Sequence, residues 1–286
     1  ITTGDQNVAI GFEALATATT ASRNTAVGLQ ALKVNTGEDN TAFGYASLIS
    51  NTTGTFNTAV GRNAGFAVTT GTENTLIGGL AGDALTDADF NVAVGAGALG
   101  KDTLGSRSTA LGYLALFDQN FTSATNSNNT AVGYGAGQNV TTGFQNTIIG
   151  SLAGDALTDA DFNVAVGVNS LSTDTLGSRS TAIGRSALKN QNFTSATDAY
   201  NVAVGFGAGE SVTTGLRNTI MGGLAGDALT NGNNNVVLGY NSLGADTQGN
   251  NSVAVGQGTL QAQNFTSSTD VYNVAVGHQA GNQVTT

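Results

Sequence analysis

Asn57-Thr58-Ala59-Val60-Gly61 is the phrase that decides how this chain folds. It recurs sixteen times with small changes, its closing glycines at 11, 28, 44, 61, 78, 95, 112, 133, 150, 167, 184, 205, 222, 239, 256 and 277. The steps between them are 17 residues, with one of 16 and three of 21. A period this regular marks a repeat array, in which each short unit buries its apolar surface against its neighbours.

The phrase reads as a short strand. Its second position is Thr or Val throughout, β-branched and stiff, which favours extended backbone. Its fourth is apolar in every copy, as in Ile10, Phe43, Ile77, Leu111 and Met221, and its third is Ala in twelve copies and Leu76, Ile148, Ile220 or Val237 in the rest. Side chains alternate along a strand, so positions two and four share one face and position three takes the other. Both faces are apolar. That pattern predicts a core on one side and a partner chain on the other.

Around the strand, the glycine at position five opens a turn that uses its permissive backbone. Three residues on comes Ala, Ser or Thr, followed by Leu or Gly, as in Ala31-Leu32 and Ala64-Gly65. This predicts a second, shorter strand or a bend. A polar turn such as Asn51-Thr-Thr-Gly54 then leads to the next copy. Position one is Asn in thirteen copies and Ser in three, which predicts a stacked amide ladder, each side chain donating to the next, or a turn role.

A longer period overlies the short one. Ser108, Ser180 and Ser252 lie 72 residues apart, as do Gln119-Asn-Phe-Thr-Ser123, Gln191-Asn-Phe-Thr-Ser195 and Gln263-Asn-Phe-Thr-Ser267. Residues 1–286 are thus one repeat array with 72-residue, four-rung blocks from about residue 113. Every fourth rung carries four extra residues, which are expected to bulge from the same place each time. Rungs stacked at about 4.8 Å would span roughly 75 Å over sixteen copies, with bulges about every 19 Å. The opening Thr-Thr-Gly4 and closing Thr285-Thr286 match the ends of internal repeats, so both termini are expected to fall inside a repeat of a longer protein.

Composition narrows the function. The chain has no Cys, Trp or Pro, and its hydrophobic residues are mostly small aliphatics, which fits a thin layered core. Absence of Pro suits strands with neighbours on both sides, each needing its N–H. No disulfide or thiolate metal site can form. A formal charge of −10 should repel phosphate backbones, which argues against nucleic acid. No apolar run reaches the roughly 18 residues of a membrane-spanning helix.

Candidates for chemistry are few. Asp83, Asp87 and Asp89 cluster in a segment that recurs with Asp155, Asp159 and Asp161, a carboxylate spacing able to ligate calcium. The third copy replaces two of the three with Asn231 and Asn233, and no Glu closes the loop, so a solvated acidic turn is the simpler reading. His278 is the only histidine, so no multi-histidine metal site can be built within one chain, and an exposed turn residue is its simpler reading. Gly205-Phe-Gly-Ala-Gly209 has the look of a nucleotide loop, but no helical stretch follows it. The expectation is no enzyme, no cofactor, and no catalytic or metal residue.

These residues carry a resemblance. Gly54 through Gly61 with Ala64, and Ser252-Val-Ala-Val-Gly256, resemble the head repeat of trimeric autotransporter adhesins. The stretch from Asn40-Thr-Ala-Phe-Gly44 to Gly54 is similar to the 17-residue repeats of phage tail-fibre and related bacterial surface proteins. The resemblance spans essentially the whole chain, although the 21-residue rungs depart from it. It implies a left-handed parallel β-roll, homotrimeric association, and placement on a virion tail fibre or an extracellular cell surface. The two-faced apolar strand argues for self-association independently. Three chains would carry three times −10, or −30, enough to keep a long rod dispersed. The expected function is the shaft of a trimeric attachment fibre of a phage, contacting a host receptor or glycan. The alternatives are a bacterial surface adhesin or extracellular filament, and a repetitive surface binding ice or polysaccharide.

Overall fold

A computed structural model describes residues 3–286 as two compact units, one ending at Phe144 and the other beginning at Gln145. Each is a parallel β-solenoid of eight turns, giving about sixteen turns in all, and no helix occurs among the described residues. In the first unit the phrase forms Val8–Ile10, Thr25–Val27, Thr41–Phe43, Thr58–Val60, Thr75–Ile77, Val92–Val94, Thr109–Leu111 and Thr130–Val132. In the second it forms Thr147–Ile149, Val164–Val166, Thr181–Ile183, Val202–Val204, Thr219–Met221, Val236–Leu238, Val253–Val255 and Val274–Val276.

Within each unit every strand pairs in parallel with the next at strict positional register. Thr58 lies opposite Thr75, Ala59 opposite Leu76 and Val60 opposite Ile77. The register survives the long steps, with Thr109 still opposite Thr130 and Val253 opposite Val274. The four extra residues are therefore absorbed outside the strand.

The remainder of each rung is mostly a succession of turns, so the bend alternative holds: among the described residues the Ala-Leu or Ala-Gly segment after the phrase forms no strand. The rung from Asn57 shows why. Gly61, Asn63, Gly65 and Glu73 all have positive φ, at 138°, 57°, 59° and 55°. Such residues reverse the chain without ending its hydrogen bonding. Gly61 N–H donates back to Phe43 O, while Gly65 and Ala67 donate forward to Ala81 O and Asp83 O. Short two-residue strands do occur, but just ahead of the phrase beside each insertion: Gly105–Ser106 with Thr125–Asn126, Gly177–Ser178 with Thr197–Asp198, and Gly249–Asn250 with Thr269–Asp270.

The closing glycine of the phrase is required twice over. Its φ lies near +135°, a region L side chains rarely adopt. A Cβ on Gly78 would also sit 2.5 Å from the carbonyl oxygen of Gly95 in the next rung. The glycines form a stack with no room between them.

The core lies on the position-three side. Ala26, Ala42, Ala59 and Ala93 are completely buried, as are Leu76, Ile148 and Ile220. Each layer is then completed in one of two reciprocal ways. Where the positive-φ residue four after the phrase is Leu, as in Leu48, Leu99 or Leu188, that side chain enters the core, and the residue three later is Asn51, Asp102 or Gln191. Where it is Gly, as in Gly65 or Gly82, the residue three later is Val68 or Leu85, and that side chain fills the space. A Cβ on Gly82 would stand 2.7 Å from a methyl of Leu76 and 2.8 Å from one of Leu85. A positive φ at leucine costs about 1–2 kcal/mol, and full burial of the side chain returns about 1.5–3 kcal/mol, so the leucine version remains stable.

Candidate interaction face

Positions two and four of the phrase point away from the core. Ile10, Phe43 and Met221 are 60%, 56% and 45% exposed, and Ile77, Ile149 and Ile183 are also exposed. In each unit these residues form two adjacent columns of Val, Thr, Ile, Leu and Phe, one residue per rung. Eight strands at about 4.8 Å extend roughly 34 Å, so a face about 10 Å wide covers on the order of 340 Å². Six of the eight position-two residues of the first unit are Thr, so the apolar part of this face is chiefly the position-four column.

Aromatic and charged residues flank these columns. Before the phrase stand Phe56, Glu73, Phe90 and Arg107 in one unit and Phe162, Arg179 and Tyr200 in the other. The Arg107 guanidinium lies 5.4 Å from the Phe90 ring centre, and that of Arg179 lies 4.7 Å from Phe162 and 6.0 Å from Tyr200. After the phrase, Tyr113 and Tyr134 stack at 5.5 Å. Near the start, Arg23 reaches both Glu38 and Asp39, and its guanidinium holds the Asp39 carboxyl below its ordinary range. These contacts run from rung to rung and hold the margins of the face in fixed positions.

The inward polar groups are mostly paired, although Asn51 Oδ1 is buried without a partner. The predicted asparagine ladder exists, with a different wiring. Each Asn Oδ1 accepts the backbone N–H of the corresponding residue one rung on, as Asn57 does from Asn74 at 3.0 Å and Asn74 from Asn91 at 2.9 Å. Each Nδ2 donates chiefly to a turn carbonyl, as Asn57 to Gly71 O at 2.7 Å and Asn74 to Ala88 O at 2.7 Å. Amide-to-amide donation is the minor pattern, seen from Asn74 to Asn57. These side chains are fully buried, and their work is architectural.

The three serines at position one have a structural cause that spacing alone does not show. Asp102 is fully buried; its Oδ1 accepts N–H groups from Gly105 and Phe121 at 3.0 Å, and its Oδ2 accepts from Gln119 Nε2 at 2.5 Å. The same Nε2 donates to Ser108 Oγ, and Gln119 Oε1 accepts from Asn129 Nδ2. Gln119 thus occupies the space that a ladder amide at Ser108 would need. The network recurs as Asp174, Gln191, Ser180 and Asn201, and as Asp246, Gln263, Ser252 and Asn273. Burial pushes the Asp174 carboxyl above its ordinary range, against the hydrogen bonds that favour its charge. Each network anchors the start of an insertion. Phe121 and Phe193 turn inward while residues 122–124 and 194–196 stand exposed; in the last insertion residues 266–268 are exposed in the same way and Phe265 is half-buried.

The other residues singled out in the sequence are dispersed. Asp87 Oδ1 accepts from Thr70 Oγ1, and Asp89 Oδ1 accepts from Thr72 N and Oγ1, so these carboxylates cap the preceding rung. Burial raises the carboxyls of Asp83 and Asp155. No group of three potential metal ligands occurs among the described residues. His278 is exposed on a turn. Gly205, Gly207 and Gly209 take positive φ within a rung, at 141°, 62° and 58°, with no helix after them. No described helix is long and apolar enough to cross a membrane.

No protein-family model, curated protein or solved structure matches this chain.

Proposed function

We propose that this chain forms the shaft of a homotrimeric attachment fibre, with the outward strand face turned toward the partner chains. The observation that carries the proposal is the outward column represented by Phe43, Ile77, Ile183 and Met221. It repeats once per rung on a solenoid whose buried asparagine ladder is paired from rung to rung. A face of this kind gains stability by closed symmetric association, and the gain adds with each rung. The resemblance to tail-fibre repeats supports a phage particle as its setting, with a left-handed roll and a host receptor or glycan as its target. The solenoid's backbone hydrogen bonding favours a scaffold that holds a surface in place.

Electron microscopy of the native source with a gold-labelled antibody against this segment tests the setting. Label along thin fibres on a virus tail is the expected result. Label on a bacterial envelope or on free filaments would overturn the phage reading in favour of a surface adhesin.

A further inference from the structure

We propose that the groove over Tyr240, Asn241, Gln257, Gly258, Gln261 and Gln279 binds a neutral saccharide. The groove crosses the turns of three successive rungs in the second unit and has a volume of about 230 Å³. That is smaller than the roughly 300–1,000 Å³ of a drug-sized site, and matches one or two sugar rings. Its shape follows from two glycines. Gly223 lies beneath the Tyr240 ring, where an added Cβ would meet the ring carbon Cδ2 at 3.5 Å, so the ring lies along bare backbone. Gly258 is buried and forms the floor, with Gln261 Oε1 and Gln279 Cγ at 3.5 and 3.6 Å from where its Cβ would be.

The chemistry of the lining is uniform. Tyr240 is 56% exposed and offers an aromatic face, whose negative charge density attracts the weakly positive C–H groups of a pyranose ring. Around it stand four primary amides, each with two donors and one acceptor oxygen, the complement of sugar hydroxyls. None of the six lining residues carries a charge, in a chain of net charge −10. A charged ligand would find no counterion here.

The preceding 72-residue block supplies an internal contrast. Its equivalents of Tyr240, Gln257 and Gln261 are Val168, Arg185 and Lys189. Those cations are used within the fold, Arg185 over the Phe206 ring at 5.4 Å and Lys189 beside Glu210 at 3.9 Å. The core and ladder positions repeat between the blocks, while this surface changes from a self-paired charged patch to a neutral amide groove. The inference deepens the attachment reading and rests on it for biological meaning, but the groove can be tested alone.

The test is saturation-transfer NMR and calorimetry on the whole chain with cellotetraose, maltotetraose and chitotetraose, and with tetragalacturonate as a charged comparator. At least one neutral tetrasaccharide should bind, more tightly than the charged one. Tyr240→Ala should weaken it about tenfold, as for an aromatic anchor, and Gln261→Ala with Gln279→Ala should weaken it severalfold. Val168→Ala should leave binding unchanged. Hydrogen-exchange protection of the flanking strands checks folding; if Tyr240→Ala loses it, the exposed glutamine pair decides. Binding of none of the three, preference for the charged sugar, or binding indifferent to the groove variants would overturn the proposal. Sedimentation of the same samples separates the two readings: a trimer without saccharide binding refutes the groove alone, and a saccharide-binding monomer refutes the fibre alone.

Discussion

Replacing Asn74 by Ala removes one complete link of the buried ladder. The lost Oδ1 accepts the Asn91 N–H at 2.9 Å, and the lost Nδ2 donates to Ala88 O at 2.7 Å. Asn57 Oδ1 keeps its bond from the Asn74 backbone, so two groups are orphaned. Each orphaned buried polar group costs about 1–3 kcal/mol, which gives a loss of about 3–5 kcal/mol with the small cavity included. Asn74→Ser should cost nearly as much. Serine is native at position 108 only because Gln119 supplies the missing amide there, and no such residue faces Asn74. In an array of nearest-neighbour contacts the damage should stay local. Native-state hydrogen exchange should show loss of protection in Thr75–Ile77 and Val92–Val94, with the turns near Thr25–Val27 unaffected. A loss below about 1 kcal/mol, or a neutral Asn74→Ser, would refute the claim that the amides hold the rungs together.

Other outcomes follow from the same geometry. Gly78→Ala should destabilise by about 2–4 kcal/mol through its φ and its contact with Gly95, while Gly79→Ala, with nothing within 4 Å, should stay within about 0.5 kcal/mol in chemical denaturation. Gly65→Leu should overpack against Leu48, Leu76 and Val68 by about 1–3 kcal/mol, and adding Val68→Ala should recover at least half of that loss. The raised carboxyl of Asp174 makes its charged form a cost to the folded state. That cost is fully present above the folded pKa and is relieved as pH falls through it, so acid titration of thermal stability should first show a modest rise. Asp174→Asn should abolish this increment yet destabilise by about 1–3 kcal/mol, because its new amide would face Gln191 Nε2 donor to donor.

Much of this architecture could be read from residues. The phrase places the strands at 8–10, 25–27 and onward, and its recurrence implies rungs in register. What spacing could not decide was which face of the strand is inside, since Val60 and Ala59 are both apolar. The answer lay in a correlation across the repeat. Leu76, Ile148 and Ile220 at position three accompany Gly82, Gly154 and Gly226 six residues later, where an added Cβ would approach those side chains, while the smaller Val237 accompanies Leu243. The positive-φ leucines were invisible, because their strain is offset by burial and leucine carries no turn signature. Asp102, Asp174 and Asp246 stand singly in the sequence and lack the clustering of Asp83 and Asp155 with their neighbours. Their common offset of six residues before Ser108, Ser180 and Ser252 was the available signal. The ladder amides donate mostly to turn carbonyls because a buried carbonyl without a partner costs more than an amide pair gains.

Native mass spectrometry of the folded chain tests the central claim most directly. The outward strand face predicts an assembly of three chains of 28.4 kDa each that falls apart when Ile77, Ile183 and Met221 are changed to lysine. A single-chain mass from a sample whose strands are fully protected from hydrogen exchange would contradict it.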